Sequence, residues 1–196
     1  LAVFYALGSG YRNLRWKDNF TLWRSSLEGA SNNYYAMYQL GTASLRKDMH
    51  DEAISKFREA IRTTSANKYP DTGLIGDARL NLAYAYKSKG LLEEATAEYQ
   101  EILKSYPEHA VSNYELASIY MERGLLDDAI TYFARSASYF RDPMDIRDAL
   151  LNIGNCHVKK GNFGEALLSY QEALRITPED PAVLKNINIA KRLSGE

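Results

Sequence analysis

One pattern returns four times along this chain, and it restricts the fold more than any other feature. The segments MYQLGTASLRKDMHDEAISKF, RLNLAYAYKSKGLLEEATAEY, NYELASIYMERGLLDDAITYF and LLNIGNCHVKKGNFGEALLSY each pair an apolar residue with a small one. Each then places a second small residue twelve positions after the first, and an aromatic four later. The second small residues are Ala53, Ala95, Ala129 and Ala166, and the aromatics are Phe57, Tyr99, Phe133 and Tyr170. Steps of 42, 34 and 37 residues separate the alanines, so 34 is the unit and the other two carry insertions of eight and three. A unit this short cannot bury its apolar face alone, so neighbours must stack.

The 34-residue spacing resembles the tetratricopeptide repeat, a helix-turn-helix unit. The resemblance adds Leu40-Gly41, Leu82-Ala83, Leu116-Ala117 and Ile153-Gly154 as the close-packing pair of each first helix. It also adds Gly90, Gly124 and Gly161 in the turns, and Pro107 and Pro178 at repeat ends. The implied fold is all-α, a right-handed α-solenoid closed by a C-terminal capping helix. Its physical basis is plain: small side chains let two helices approach closely, and the aromatic fills the gap toward the next repeat. Glycine tolerates the left-handed turn after a first helix, and acidic pairs such as Glu93-Glu94 and Asp127-Asp128 suit the start of a second. The expected layout is residues 1–33 as a helical cap or degenerate half repeat, also readable as the end of a membrane segment. Four repeats follow at 34–75, 76–109, 110–146 and 147–178, and the cap at 179–196.

The first repeat departs from the pattern, with Asp48 at the turn glycine and Ser65 at the proline. The eight-residue insertion through TTSANKYPDTGLIGD is expected to lengthen the second helix and the loop before Asp77; an extra binding element at 65–75 is the sharper alternative. Pro143, in the later insertion, is expected to break a helix. In the capping helix Asp180 is the expected N-cap and Pro181 the first helical residue. Val183, Leu184, Ile187, Ile189, Ala190 and Leu193 supply its apolar face, with Lys185, Lys191 and Arg192 toward solvent.

Little in the chain points to chemistry. A formal charge of −1 gives no general reason to expect nucleic acid or an acidic membrane as partner. The single cysteine, Cys156, excludes an internal disulfide and is expected to pack as a small buried residue. His50, His109 and His157 form no ligand pair at helical spacing, and neither a phosphate-binding loop nor a nucleophile motif is present. No catalytic residue, metal or cofactor is therefore assigned, and the fragment is read as non-enzymatic.

By resemblance, the first helices form a concave wall that binds an extended peptide or partner helix. Ligand-facing positions map to Tyr35, Tyr38 and Thr42, to Asp77, Asn81 and Tyr84, to Tyr114, Glu115 and Ser118, and to Asp148, Asn152 and Asn155. Tyrosine offers area and asparagine can pair with a peptide backbone; the alternative is that the rings pack between helices and the amides meet water. The carboxylate clamp of heat-shock adaptors does not fit: Tyr38 and Thr42 stand where its lysine and first asparagine are expected. Val111 and Glu115 stand at its later basic positions, and Asn81 alone matches.

Ahead of the repeats, Trp16, Phe20, Trp23 and Leu27 form one apolar helical stripe. In register, Trp23 takes the aromatic position of a preceding half repeat and Asn19 its alanine, with residues 1–11 as the missing first helix. Burial of Trp16 and Trp23 against the first repeat is expected. RNLRWKDNFTLW is also similar to the junction R-N-x-x-W-x-D-x-x-x-L-W where a polytopic membrane segment hands over to repeats, as in the transmembrane-and-TPR-containing O-mannosyltransferases and bacterial relatives. Arg12, Asn13, Trp16, Asp18, Leu22 and Trp23 carry the match.

That similarity implies an extracytoplasmic, periplasmic or lumenal array at the C-terminal side of a membrane-anchored protein, with any glycosyltransferase chemistry upstream. The apolar start LAVFYAL reads as the tail of a longer segment or as what a cleaved signal peptide leaves. The expected function is recruitment of a protein or peptide; the alternative is a free-standing scaffold or adaptor for a multiprotein complex, cytoplasmic or periplasmic. Self-association through the ends of the array is a further expectation.

Overall fold

The computed structural model describes residues 19–195. Among them are ten α-helices and no strand, as the repeat pattern predicts. They gather into two compact units that divide between Glu98 and Tyr99.

The first unit holds α1 (Asn19–Gly29), α2 (Tyr34–Leu45), α3 (His50–Ser65), α4 (Thr72–Ser88) and the opening turns of α5 (Leu92–Ser105). Ala53 and Phe57 of α3 pack with Ala78 and Leu82 of α4, and Tyr38, Leu45, Ile54, Ile61 and Tyr86 border that cluster. The pairing of α2 with α3 needs Gly41: a Cβ built there would lie 2.7 Å from the Phe57 ring. Asn33 caps α2 by accepting from the Ala36 N–H, and Asp71 caps α4 by accepting from the Leu74 N–H.

The second unit continues through the rest of α5 with α6 (Ala110–Glu122), α7 (Leu126–Tyr139), α8 (Pro143–Lys160), α9 (Phe163–Ile176) and α10 (Pro181–Ser194). Ala117, Ala129, Phe133, Ile153 and Cys156 form one buried cluster. Ala166, Tyr170, Ala173, Val183 and Ala190 form another. Close approach is tightest at Gly154, where an added Cβ would meet the Tyr170 ring at 2.3 Å.

Turn chemistry repeats in both units. Gly90, Gly124 and Gly161 adopt φ of 74°, 76° and 78°, and Asp48 takes the same left-handed turn at φ 57°. Each α3, α5, α7 and α9 then opens with at least one carboxylate in its first turn, where the helix dipole favours it. A surface ion pair recurs as well: Lys89 reaches Asp51 in the first unit, and Lys160 reaches Asp127 in the second.

Several expectations need revision. The eight-residue insertion is divided three ways: α3 runs two residues longer than α5, α7 and α9, a short loop follows, and α4 begins at Thr72, so that Asp77 lies inside the helix. Pro143 does not break a helix but opens α8 behind the Asp142 cap, because a first-turn residue has no N–H partner to lose. In the stripe of α1, Phe20 is the buried ring, at 8% exposure, packed on Leu40 and Ala43. Trp23 and Leu27 are partly buried beside it, and Asn19 is exposed. The positively charged Arg24 and Lys47 lie 4.3 and 4.7 Å from the Phe20 ring centre, within range of the ring's negative face.

In α10, Asp180 and Pro181 stand as cap and first residue, with Val183 and Ala190 buried. Leu184 and Leu193 are exposed, at 40% and 55%. The expectations for Trp16 and residues 1–11 lie outside the described residues. No helix among the described residues is long and apolar enough to cross a membrane.

Candidate functional site on the first helices

Two clusters of the same design stand on the first helices, one per unit. In the first, Tyr38 of α2 accepts a 3.3 Å hydrogen bond from Asn81 Nδ2 of α4. In the second, Tyr114 of α6 accepts one of 2.9 Å from Asn152 Nδ2 of α8. Each tyrosine is followed four residues on by a hydroxyl, Thr42 or Ser118, which donates back to the tyrosine carbonyl at 3.1 Å. Each asparagine is preceded four residues back by an aspartate, Asp77 or Asp148. Each tyrosine ring also touches the aromatic of its own repeat, with centroids 5.9 Å apart for Tyr38 and Phe57 and 5.2 Å for Tyr114 and Phe133.

This geometry explains the electrostatics. Burial, followed by the charge of Asp77, raises the Tyr38 pKa above the ordinary tyrosine value. Tyr114 is raised by burial first and then by Asp148, with Glu115 and Asp145 acting in the same direction. Both hydroxyls therefore remain protonated donors at neutral pH, aligned by an amide.

The remaining expected positions divide by environment. Tyr84 stands 55% exposed on α4 and Asp77 is exposed on the same helix. Tyr35 is 49% exposed, takes a 2.7 Å hydrogen bond from Gln39, and meets Trp23 edge-on at 5.8 Å. Part of its ring is thus committed to holding α1. Glu115 is half-buried on α6. Asn155 is a hub of the second unit: its Oδ1 accepts from Tyr170 Oη at 2.8 Å and from Asn186 Nδ2 at 3.1 Å, tying α8 to α9 and α10. Its Nδ2 donates to Asn152 at 3.4 Å. Its carbonyl end is therefore engaged within the protein, which makes Asn155 first a structural residue.

Residues that the sequence pattern did not assign to the wall complete the second cluster. Val111, Phe140 and Asp145 join Tyr114, Glu115 and Asp148 around a recess of 230 Å³. Phe140 lies at the end of α7, in the stretch read only as an insertion, and its ring sits 6.0 Å from that of Tyr114. An aromatic seven residues beyond the repeat aromatic was the available signal.

Cys156 is buried and free, with its thiol pKa pushed up by burial, which makes a nucleophilic thiolate unfavourable. Among the described residues, no group of three His, Cys, Asp or Glu is placed to hold a metal ion.

Family models for the tetratricopeptide repeat match residues 35–63, 77–109 and 108–179. A TPR repeat-containing protein of Methanocaldococcus jannaschii is 28% identical over 178 residues, covering 83% of this chain and 28% of that protein. The Arabidopsis thaliana CTR9 homolog is 22% identical, with 85% of this chain and 14% of that protein covered. The chain thus spans under a third of the length of either relative.

Among solved structures, YrrB, described as a TPR protein with an unusual peptide-binding site, superposes with a TM-score of 0.69 at 22% identity. The match covers 94% of this chain and 86% of YrrB. MamA gives 0.71 at 18% identity, covering 83% and 82%. The family-model matches take in most of each of the four helix pairs, and the chain belongs to the tetratricopeptide-repeat family.

Proposed function

We propose that this chain is a protein-recognition module that holds an extended partner segment against its first helices. The observation that supports it is the recurrence of the tyrosine–asparagine pair on the first helices of each unit, each pair fixed by a cross-helix hydrogen bond. Two pre-aligned ring-and-amide sets offer apolar area and hydrogen-bonding edges without an ordering cost on binding. YrrB, whose fold this chain shares, is described as a peptide-binding member of the family.

The test is selection from a displayed library of random peptides on the full chain. Replacing Tyr38, Tyr84 and Tyr114 with alanine, with helicity checked by circular dichroism, should abolish retention of the enriched peptides, whereas Thr131→Ala and Leu168→Ala on second helices should leave it intact. Retention by the tyrosine variants would move the site elsewhere.

The setting we propose is the extracytoplasmic side of a membrane-anchored protein, of glycosyltransferase type, in which the array recruits the acceptor. Its support is the junction pattern of Arg12, Asn13, Trp16, Asp18, Leu22 and Trp23. Several apolar spans of about 20 residues encoded immediately upstream of Leu1 are the expected finding. An initiating methionine or a signal peptide there would overturn it.

A further inference from the structure

The recess beside Tyr114 carries more than a general capacity to bind. It is lined by the aromatic and aliphatic side chains of Tyr114, Phe140 and Val111 together with the carboxylates Glu115, Asp145 and Asp148. Aromatic faces attract cations, and carboxylates set around them reinforce that preference.

Arg147 lies 3.2 Å from Asp148 and 2.9 Å from Asp180, so one guanidinium is divided between two carboxylates. Asp145 stands in the first turn of α8, where the helix dipole accounts for it. Glu115 lies within α6 and Asp148 in the second turn of α8. Because these carboxylates are not grouped to hold a metal ion, a cation broad enough to span the recess fits better than a bare one.

The first unit supplies a contrast. At the positions corresponding to Glu115, Asp145 and Phe140 it has Gln39, Leu74 and Thr64, although the tyrosine, aspartate and asparagine are the same.

We propose that this recess receives a basic side chain of the bound partner segment, arginine ahead of lysine. A planar guanidinium can lie on the Tyr114 ring while its N–H fork reaches the carboxylates. The inference rests on the recognition function proposed above and names the chemistry that the second unit selects.

Displayed random peptides are selected on the full chain and in parallel on the combined Glu115→Gln, Asp145→Asn, Asp148→Asn variant, with helicity checked by circular dichroism. Peptides enriched on the wild type should share an arginine or lysine at a fixed position. A synthetic copy should weaken about tenfold when that arginine becomes citrulline, and should lose most of that difference on the neutralised variant. The citrulline change reads the interaction without altering the protein, so it decides even if the triple variant folds poorly. Enriched peptides without a shared basic residue, or an arginine preference unchanged by neutralisation, overturn this inference and leave the recognition function standing. Absence of any enrichment on the wild type overturns both.

Discussion

The two units draw the same cluster with different inks. Tyr38 with Asn81 and Tyr114 with Asn152 share partners, helix positions and the back-bonded hydroxyl four residues on. Around them the first unit has one carboxylate, Asp77, affecting the tyrosine, whereas the second has Asp148, Glu115 and Asp145. The second also adds Phe140 to the ring stack. What stays constant is what holds one first helix beside the next. What varies points outward, so recognition can change without disturbing the packing.

The sharpest test of this difference lies in the aromatic position below the clusters. The last repeat aromatic of the second unit is Tyr170, only 1% exposed and bonded to Asn155, and its hydroxyl is pushed by burial to about 12. Because the folded value lies above the unfolded value of about 10, the protonated hydroxyl contributes stability that is fully present below that pH. It is lost as pH rises through the folded value. The loss should reach roughly 1.4 kcal/mol at a pH of about 11 and about 2.7 kcal/mol above the folded value. Urea unfolding followed by circular dichroism should show a shallower alkaline decline in Tyr170→Phe than in wild type. Equal declines would remove Tyr170 as the source. The first unit has Phe57 at the corresponding place, and its transition, followed by Trp23 fluorescence, should respond less to the same pH range.

Next in size is the contact that the small residues permit. Gly154→Ala would drive a Cβ to 2.3 Å from the Tyr170 ring, and Gly41→Ala would place one at 2.7 Å from Phe57. Overpacking costs about 1–3 kcal/mol, while exchanging glycine for alanine inside a helix returns roughly 1 kcal/mol. The net expectation is a loss of about 2 kcal/mol at Gly154 and at most about 1 kcal/mol at Gly41. Hydrogen exchange resolved to each unit would measure both, and a larger loss at Gly41 would reverse the order.

These contacts also show how far the sequence could be read. Helices, turns and packing pairs were legible because repetition constrains the same positions four times: Gly41 and Gly154 lie under Phe57 and Tyr170 as the pattern requires. The insertions were less legible because they occur once each and nothing repeats to fix their register. Thr72 and Pro143 both start helices where loops or breaks were expected. The N-terminal helix was less legible for a related reason: it has Asn19 where the alanine is expected, and Phe20 is its buried ring while Trp23 packs partly buried beside it. For the site, the helices carrying each residue follow from the pattern, but which side chains bond across helices does not. Asn155 looked like a wall residue, yet its carbonyl is claimed by Tyr170 and Asn186, residues 15 and 31 positions away.

A smaller effect separates the two tyrosine–asparagine pairs. Tyr114→Phe removes the acceptor of a 2.9 Å bond in a half-buried setting, and Tyr38→Phe that of a 3.3 Å bond. The first should cost about 1 kcal/mol and the second about half as much, since the longer bond is weaker and its amide can turn to water. Thermal unfolding of the two single variants tests the ranking. Equal losses would mean that the two pairs carry the same load despite their geometry.

The smallest difference between the units lies in their turns. All four first helices end alike: the N–H of Asp48, Gly90, Gly124 or Gly161 donates three residues back, and the next N–H donates five back, with distances of 2.9–3.2 Å. Only Asp48 makes this turn with a side chain at positive φ, 57° against 74–78° for the glycines. An L-residue there carries roughly 1 kcal/mol of strain, eased for aspartate. Glycine removes that strain but gives the unfolded chain more freedom, by a similar amount. Asp48→Gly should therefore shift stability by no more than about 0.5 kcal/mol, while Gly124→Ala, which adds strain with no local hydrogen bond to ease it, should cost about 1 kcal/mol. If Asp48→Gly instead stabilised the first unit by as much as Gly124→Ala destabilises the second, aspartate would be under full strain. The first turn would then be an imperfect copy, not an equivalent solution to the same backbone demand.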